Sequence, residues 1–393
     1  MENHDGGRWM AAGSGRRGGS SKRGDRAYSR FWPAAVWGFI LFLLLFVFPL
    51  PYFIFKPGSA EVLGPMVHTK TEAKPVSGQF LLTTVGVKSA NAAGLVAAKL
   101  KGEEIRTKKA VLGTDSNEDE YNQRQEYNMM SSQSNAIQAA YKKAGIPYTI
   151  QGDGVLVLHV QKGMPAAQVL QVGDLIIEAD GQTVRQPGDL TSRLKGKQAG
   201  DRVALAFKRK EETKRAEVTL GVIPSPSPSP GASPAPSASP QGGPSVGIGI
   251  TLGSVQSVQP HDESKKVTVS AGDIGGPSAG LMFSLEIYNR LVAGDITKGY
   301  RIAGTGEIDP EGHVGVIGGI KYKVMAADRE KAEIFFAPAD WTSPNGQTLP
   351  NYSEAAEQAR KIGTTMKVVP VKTMQDALDY LSKLPSKAEK PAA

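Results

Sequence analysis

Residues 224–245 read Pro-Ser-Pro-Ser-Pro-Ser-Pro-Gly-Ala-Ser-Pro-Ala-Pro-Ser-Ala-Ser-Pro-Gln-Gly-Gly-Pro-Ser. Proline this dense removes backbone donors and, with serine between, leaves nothing to bury, so the stretch favours extended polyproline conformations and cannot enter a core. At about 3.1 Å per residue it reaches on the order of 60 to 70 Å. A chain of 393 residues that carries it is divided in two. The expectation is a linker over 223–245 between modules that move independently.

A second constraint lies nearer the start. Residues 31–55, Phe31 to Phe55, contain no charged side chain. About 20 apolar residues cross a hydrocarbon core, and Trp32, Trp37 and Tyr52 stand where interfacial aromatics belong. Arg16, Arg17, Lys22, Arg23, Arg26 and Arg30 precede the run. The expectation is a single transmembrane helix over 31–55, held in a cell membrane with residues 1–30 as a disordered cytoplasmic tail and the rest extracytoplasmic. A cleaved signal peptide competes, with Gly58-Ser59-Ala60 as its small-residue site.

Cysteine is absent, which excludes disulfides and thiolate metal sites. The net charge is +8, and about half of it sits in the first thirty residues. No basic face with interleaved aromatics remains, so no nucleic-acid partner is expected. There is no Gly-x-x-x-x-Gly-Lys-Ser/Thr loop for a nucleotide. His313 lacks clustered ligands, so neither metal nor cofactor is expected.

Chemistry concentrates at Gly272-Asp273-Ile274-Gly275-Gly276-Pro277-Ser278-Ala279-Gly280. The β-formers Val267-Thr268-Val269 lead into a glycine-rich turn, and a helix begins near Pro277. Ser278 thus stands at a helix N-terminus, where unpaired amides and the dipole stabilise an oxyanion. Backbone groups near Gly276, Pro277 and Ala279 are the oxyanion candidates. A nucleophilic serine needs a base. Lys321 follows Gly318-Gly319-Ile320 and shares a helical face with Val324 and Met325, so desolvation and the dipole would lower its pKa. On this phasing Lys323 points away, toward Ala326, Ala327 and Glu330.

The blocks Gly276-Pro277-Ser278-Ala279-Gly280, Thr305-Gly306-Glu307-Ile308 and Gly318-Gly319-Ile320-Lys321 resemble the proteolytic domain of Lon-type Ser-Lys peptidases. The resemblance covers roughly Val246 to Leu381. It implies an α/β peptidase fold over 246–384, Ser278 as nucleophile, Lys321 as general base, Thr305 as an orienting residue and a possible homo-oligomer. One departure is Gly275, where Lon itself has an acidic residue.

Between the apolar run and this domain, residues 56–146 read as an α/β segment. Asn128 to Lys143 places Met129, Ala136, Ile137, Ala140 and Tyr141 at helical spacing, a packing stripe. Residues 147–222 resemble a PDZ domain of the kind attached to bacterial proteases, on Pro165-Ala166-Ala167, Gly173-Asp174-Leu175-Ile176 and Asp180-Gly181. Such domains add an extended peptide to a sheet edge. That edge is expected at Gly152, Asp153, Gly154, Val155 and Leu156, with His159 a strand residue. Residues 385–393 read as a disordered tail.

The whole reads as a multidomain chain: transmembrane helix, PDZ-like β-rich domain and α/β Lon-type proteolytic domain. The expected activity is ATP-independent serine endopeptidase cleavage of exported or membrane-associated peptides and proteins. The alternatives are a membrane-tethered peptide-binding scaffold with an inactive peptidase fold, and a serine esterase of α/β-hydrolase type with His313.

Overall fold

The computed structural model describes residues 25–70, 76–113, 117–223, 246–272 and 274–387. The expected N-terminal and C-terminal tails fall almost wholly outside the described residues, as do the Pro/Ser stretch and Asp273. The chain forms two compact units, one from residues up to Ile54 with Ser89–Ile105, the other from Phe55–Lys88 with Arg106 onward.

In the first unit the apolar run is broken into three kinds of backbone. An α-helix ends at Phe42, Leu43–Val47 form a π-helical turn, and a strand starts at Tyr52. No helix among the described residues is long and apolar enough to cross a membrane. The expected transmembrane helix over 31–55, and with it the single-pass anchored location in a bacterial membrane, is therefore overturned. The residues that were to complete the span, Phe53 and Ile54, are instead buried strand residues, and Ile54 packs with Ala90 and Ala98.

Two six-stranded sheets form the framework. One runs in the order Lys367–Val371, Ile334–Pro338, Arg301–Gly304, Gln79–Ser89, Tyr52–Val62, Glu104–Thr107. Its first four strands are parallel neighbours. Side chains alternate across it: Phe80 and Leu82 join the core beneath the helix Gly280–Leu291, while Leu81 joins the core beneath the helices Ile320–Arg329 and Tyr352–Ile362. A parallel sheet needs both faces covered, and here both are. The helix Glu118–Ala144 adds Met129, Ala136, Ala140 and Tyr141 to the first of these cores, as its stripe predicts. Three strands of this sheet thus come from residues that precede the PDZ-like module. Strands and a helix of the segment 56–146 build into the sheet and core that carry the helix Gly280–Leu291.

The other sheet is antiparallel, in the order Ile250–Pro260, Tyr148–Val160, Leu175–Ala179, Arg202–Arg209, Glu212–Thr219, with Gln182–Thr183 also paired to Leu175–Ala179. Its core gathers Val155, Val157, Ile176, Leu190, Leu205 and Ile248. The strand Ile250–Pro260, expected to open the peptidase domain, is paired along Tyr148–Val160 from Ile250↔Val160 to Pro260↔Tyr148. On either side of the Pro/Ser stretch, Gly221 pairs with Gly247 and Val222 with Val246. The stretch therefore leaves and re-enters one domain. The independent motion expected of two modules joined by a linker has no basis, because the PDZ-like sheet is closed by residues beyond it.

Candidate active site

The strand Val267–Val269 delivers the chain to a turn in which Gly276 has φ +88°, a conformation that favours glycine. A single 3-10 turn, Pro277–Ala279, then feeds the helix Gly280–Leu291, which is anchored by fully buried Leu281, Met282 and Leu285. Ser278 sits half-buried at this junction, at the head of a helix as the sequence predicts.

The amine that meets it is Lys323, not Lys321. Lys323 Nζ lies 3.0 Å from Ser278 Oγ and donates to the Thr83 carbonyl at 2.6 Å. Lys321 Nζ lies over the Tyr322 ring at 5.0 Å. Helix phase explains the difference. Gly319 caps the helix in the left-handed conformation and Ile320 is its first residue. From Ile320, which is fully buried, the inward stripe runs at three, four and seven residues through Lys323, Val324 and Ala327. Counting from Ile320, rather than from Lys321 itself, places Lys323 inside. The sequence contained that signal.

Lys323 is 3% exposed, and burial pulls its pKa from 10.5 down to about 7. Desolvation penalises the ammonium form, so near neutrality a large fraction is the free amine a general base requires. Thr83, on the strand Gln79–Ser89, also donates through Oγ1 to the Gly304 carbonyl at 3.0 Å. Its role had no local signal, because its partner is 240 residues away.

The other expected residues separate. Gly276 donates its amide to the Gln125 carbonyl at 2.9 Å, and Pro277 has no amide hydrogen, so neither can serve an oxyanion. The amides of Ser278 and Ala279 head the helical turn, where no intrahelical acceptor exists. Thr305 is buried and donates through Oγ1 to the Ser278 carbonyl at 2.9 Å, joined by the Gly306 amide at 2.8 Å. It holds the backbone of Ser278, and no contact joins it to Lys321 among the hydrogen bonds described.

The PDZ-like edge also moves. Gly152, Asp153, Gly154, Val155 and Leu156 form no edge, since their strand has neighbours on both sides, with Val155 opposite Ser254 and Ile176. On the Ser254 side the sheet ends in Ile250–Pro260, and on the other in Glu212–Thr219. Between its start and the helix Pro187–Leu194 lies a cleft of about 640 Å³, lined by Leu190, Leu194, Ile248, Gly249, Ile250 and Leu252 among others. His159 is a strand residue, as expected, with Nδ1 3.1 Å from a Glu120 carboxylate oxygen.

Two parts of the chain match known families. Residues 131–220 match the PDZ domain family, and residues 266–382 match the C-terminal proteolytic domain of Lon protease (S16). A periplasmic serine endoprotease of DegP-like type from Brucella suis is 28% identical over 153 residues, 37% of this chain and 29% of that protein. A serine protease HhoB of Synechocystis is 36% identical over 81 residues, 20% of each chain. A Lon protease of Mesomycoplasma hyopneumoniae is 31% identical over 108 residues, 28% of this chain and 11% of that one. This chain therefore spans less than a third of these relatives. Among solved structures, the PDZ domain of an SdrC-like protein from Listeria monocytogenes is 31% identical, covering 25% of this chain and 87% of that one, at a TM-score of 0.20. The DegP-like relative is named as periplasmic. The chain combines a PDZ domain with a proteolytic domain of the Lon (S16) type, the composition of a PDZ Lon-like protease.

Proposed function

We propose that this chain is a serine endopeptidase working through a Ser278–Lys323 dyad, without a nucleotide, on exposed or flexible segments of peptides and proteins. The observation that carries the reading is the 3.0 Å approach of a buried amine, its pKa lowered to about 7, to the hydroxyl at a helix head. Neutral Lys323 takes the Ser278 proton as Oγ attacks the scissile carbonyl. The amides of Ser278 and Ala279 receive the oxyanion. The lysine then gives its proton to the leaving amine, and the acyl-enzyme forms. A water deprotonated by Lys323 attacks the ester, and the proton returns to Ser278 Oγ as the acid product leaves.

The PDZ-like cleft supports a second part of the reading. An extended peptide added beside Ile250–Leu252 would place side chains against Leu190 and Leu194, so the domain captures substrate segments as an added strand.

The test is cleavage of unfolded casein by the full chain in the absence of ATP. Ser278→Ala and Lys323→Ala abolish it, while Lys321→Ala does not. Retained cutting by either of the first two variants sinks the dyad.

A further inference from the structure

The helix Glu118–Ala144 presents one stripe to the PDZ-like sheet and another to the nucleophile turn. Glu120, Tyr127 and Ser134 meet the sheet: Glu120 pairs with His159, the Tyr127 hydroxyl accepts from the Ser254 amide at 3.1 Å, and Ser134 Oγ accepts from Gln256 at 3.2 Å. Gln125 and Ser132 meet the turn: the Gln125 carbonyl accepts from Gly276, and Ser132 Oγ donates to the Pro277 carbonyl at 2.8 Å. Residues seven apart lie nearly two turns along one face, so both sets are stripes.

The turn is pressed against this helix. A Cβ on Gly275 would meet the Gln125 Cβ at 2.9 Å, and one on Gly280 would meet Ser132 Oγ at 2.7 Å. This accounts for Gly275 where Lon itself has an acidic side chain: the helix occupies that space.

The contact of Ser132 has a specific chemical meaning. The Pro277 carbonyl and the Ser278 amide belong to one planar trans peptide, so fixing the oxygen fixes the direction of the N–H. Thr305 and Gly306 do the same for the next peptide, whose oxygen is that of Ser278 and whose N–H is that of Ala279. The two amides assigned to the oxyanion are thus each aimed by a hydrogen bond to the carbonyl of their own plane.

We infer that Ser132 is a positioning residue for the peptidase reaction, aiming the Ser278 amide at the developing oxyanion. The inference rests on Ser278 as the nucleophile. It assigns a peptidase role to a residue inside the segment matched as PDZ and outside the matched proteolytic domain.

Ser134 supplies the control, being the same residue type, on the same helix and similarly buried, but facing the other sheet. In full-length protein acting on a fluorogenic peptide, Ser132→Ala lowers kcat about 10-fold with KM changed less than about 2-fold, because oxyanion contacts strengthen only in the transition state. The pH midpoint set by Lys323 stays in place. Ser134→Ala leaves kcat within about 2-fold. Equal losses in both variants, a loss confined to KM, or no loss overturns the inference. Hydrogen exchange in residues 274–280 gives a readout independent of turnover, and it accelerates in Ser132→Ala alone. Wild type that cleaves nothing defeats the peptidase reading and this inference with it. Active wild type whose exchange is unchanged by Ser132→Ala defeats only the inference.

Discussion

The two six-stranded sheets are built in opposite ways and yet share one oddity. In the peptidase sheet the four strands from Gln79–Ser89 to Lys367–Val371 are parallel neighbours, so each must return by a crossover, and the sheet's members are drawn from residues 52–107 and 301–371. The PDZ-like sheet is antiparallel and nearly local, except that one end strand arrives from beyond the Pro/Ser stretch. Each domain is completed by a segment lying on the far side of the other. The comparison teaches that a module recognised by its motifs need not be a continuous folding unit. It also explains how the helix Glu118–Ala144 serves both: the chain crosses from one sheet to the other along it.

The largest effect that would break this comparison is truncation. A chain beginning after Ser89 lacks two strands of the peptidase sheet and the Thr83 carbonyl, and it is expected to lose the cooperative thermal transition of the peptidase core. Replacing 224–245 by a short Gly-Ser turn joins ends that are already paired and changes Tm by only a few degrees, since loop-closure entropy varies slowly with length. If the two deletions behave alike, the interleaved reading is wrong.

Next in size are the two lysines of one helix. Lys323→Met lowers kcat/KM by about a thousandfold or more, whereas Lys321→Met changes it less than about 2-fold, read by peptide hydrolysis. The reverse result would restore Lys321 as the base.

The pH dependence sharpens that contrast. The base works as the free amine, so kcat/KM rises with pH through a midpoint near 7. Linkage runs in the same direction. The folded pKa lies below the ordinary 10.5, so between about 7 and 10.5 the unfolded chain binds more protons and stability climbs as pH rises. Below about 7 the full cost of burying the ammonium is present. Lys323→Met therefore stabilises the protein more at pH 6 than at pH 10, by on the order of a few kcal/mol, measured by urea unfolding. A gain independent of pH would show that Lys323 does not titrate in this range.

Two smaller substitutions separate the faces of the nucleophile turn from those of the PDZ-like sheet. Thr305→Val removes the bond to the Ser278 carbonyl and lowers kcat about 10-fold with KM unchanged. Tyr127→Phe removes only the hydroxyl bond to Ser254 and costs about 1 kcal/mol of stability, with kcat within about 2-fold. A kcat loss in Tyr127→Phe as large as that in Thr305→Val would mean the two sheets are more tightly coupled than their separate stripes imply.

Much of the site was legible from residue order. Gly276-Pro277-Ser278 at a strand-to-helix turn places a hydroxyl at a helix head whatever surrounds it, because glycine permits the positive φ and proline starts the helix. The stripe through Met129, Ala136, Ala140 and Tyr141 fixed a buried helix for the same local reason. The amine buried beside Ser278 lies two residues beyond the lysine chosen from the sequence, since a helical face is set by its first buried residue and Ile320 was not used to set it. The membrane helix failed because hydropathy alone does not establish one continuous helix, and the backbone changes form at Phe42 and Tyr52.

By itself, then, the sequence determined the local facts: a serine at a helix head, the helix periods, the strand motifs and the two families they resemble. Tertiary structure decided which lysine is desolvated, which strand ends the PDZ-like sheet, and that Thr83 and Ser132 reach the site. The physical reason is that propensity and periodicity act over a turn or two of chain. Strand pairing and burial are settled between residues more than a hundred positions apart, where no local pattern records the partner.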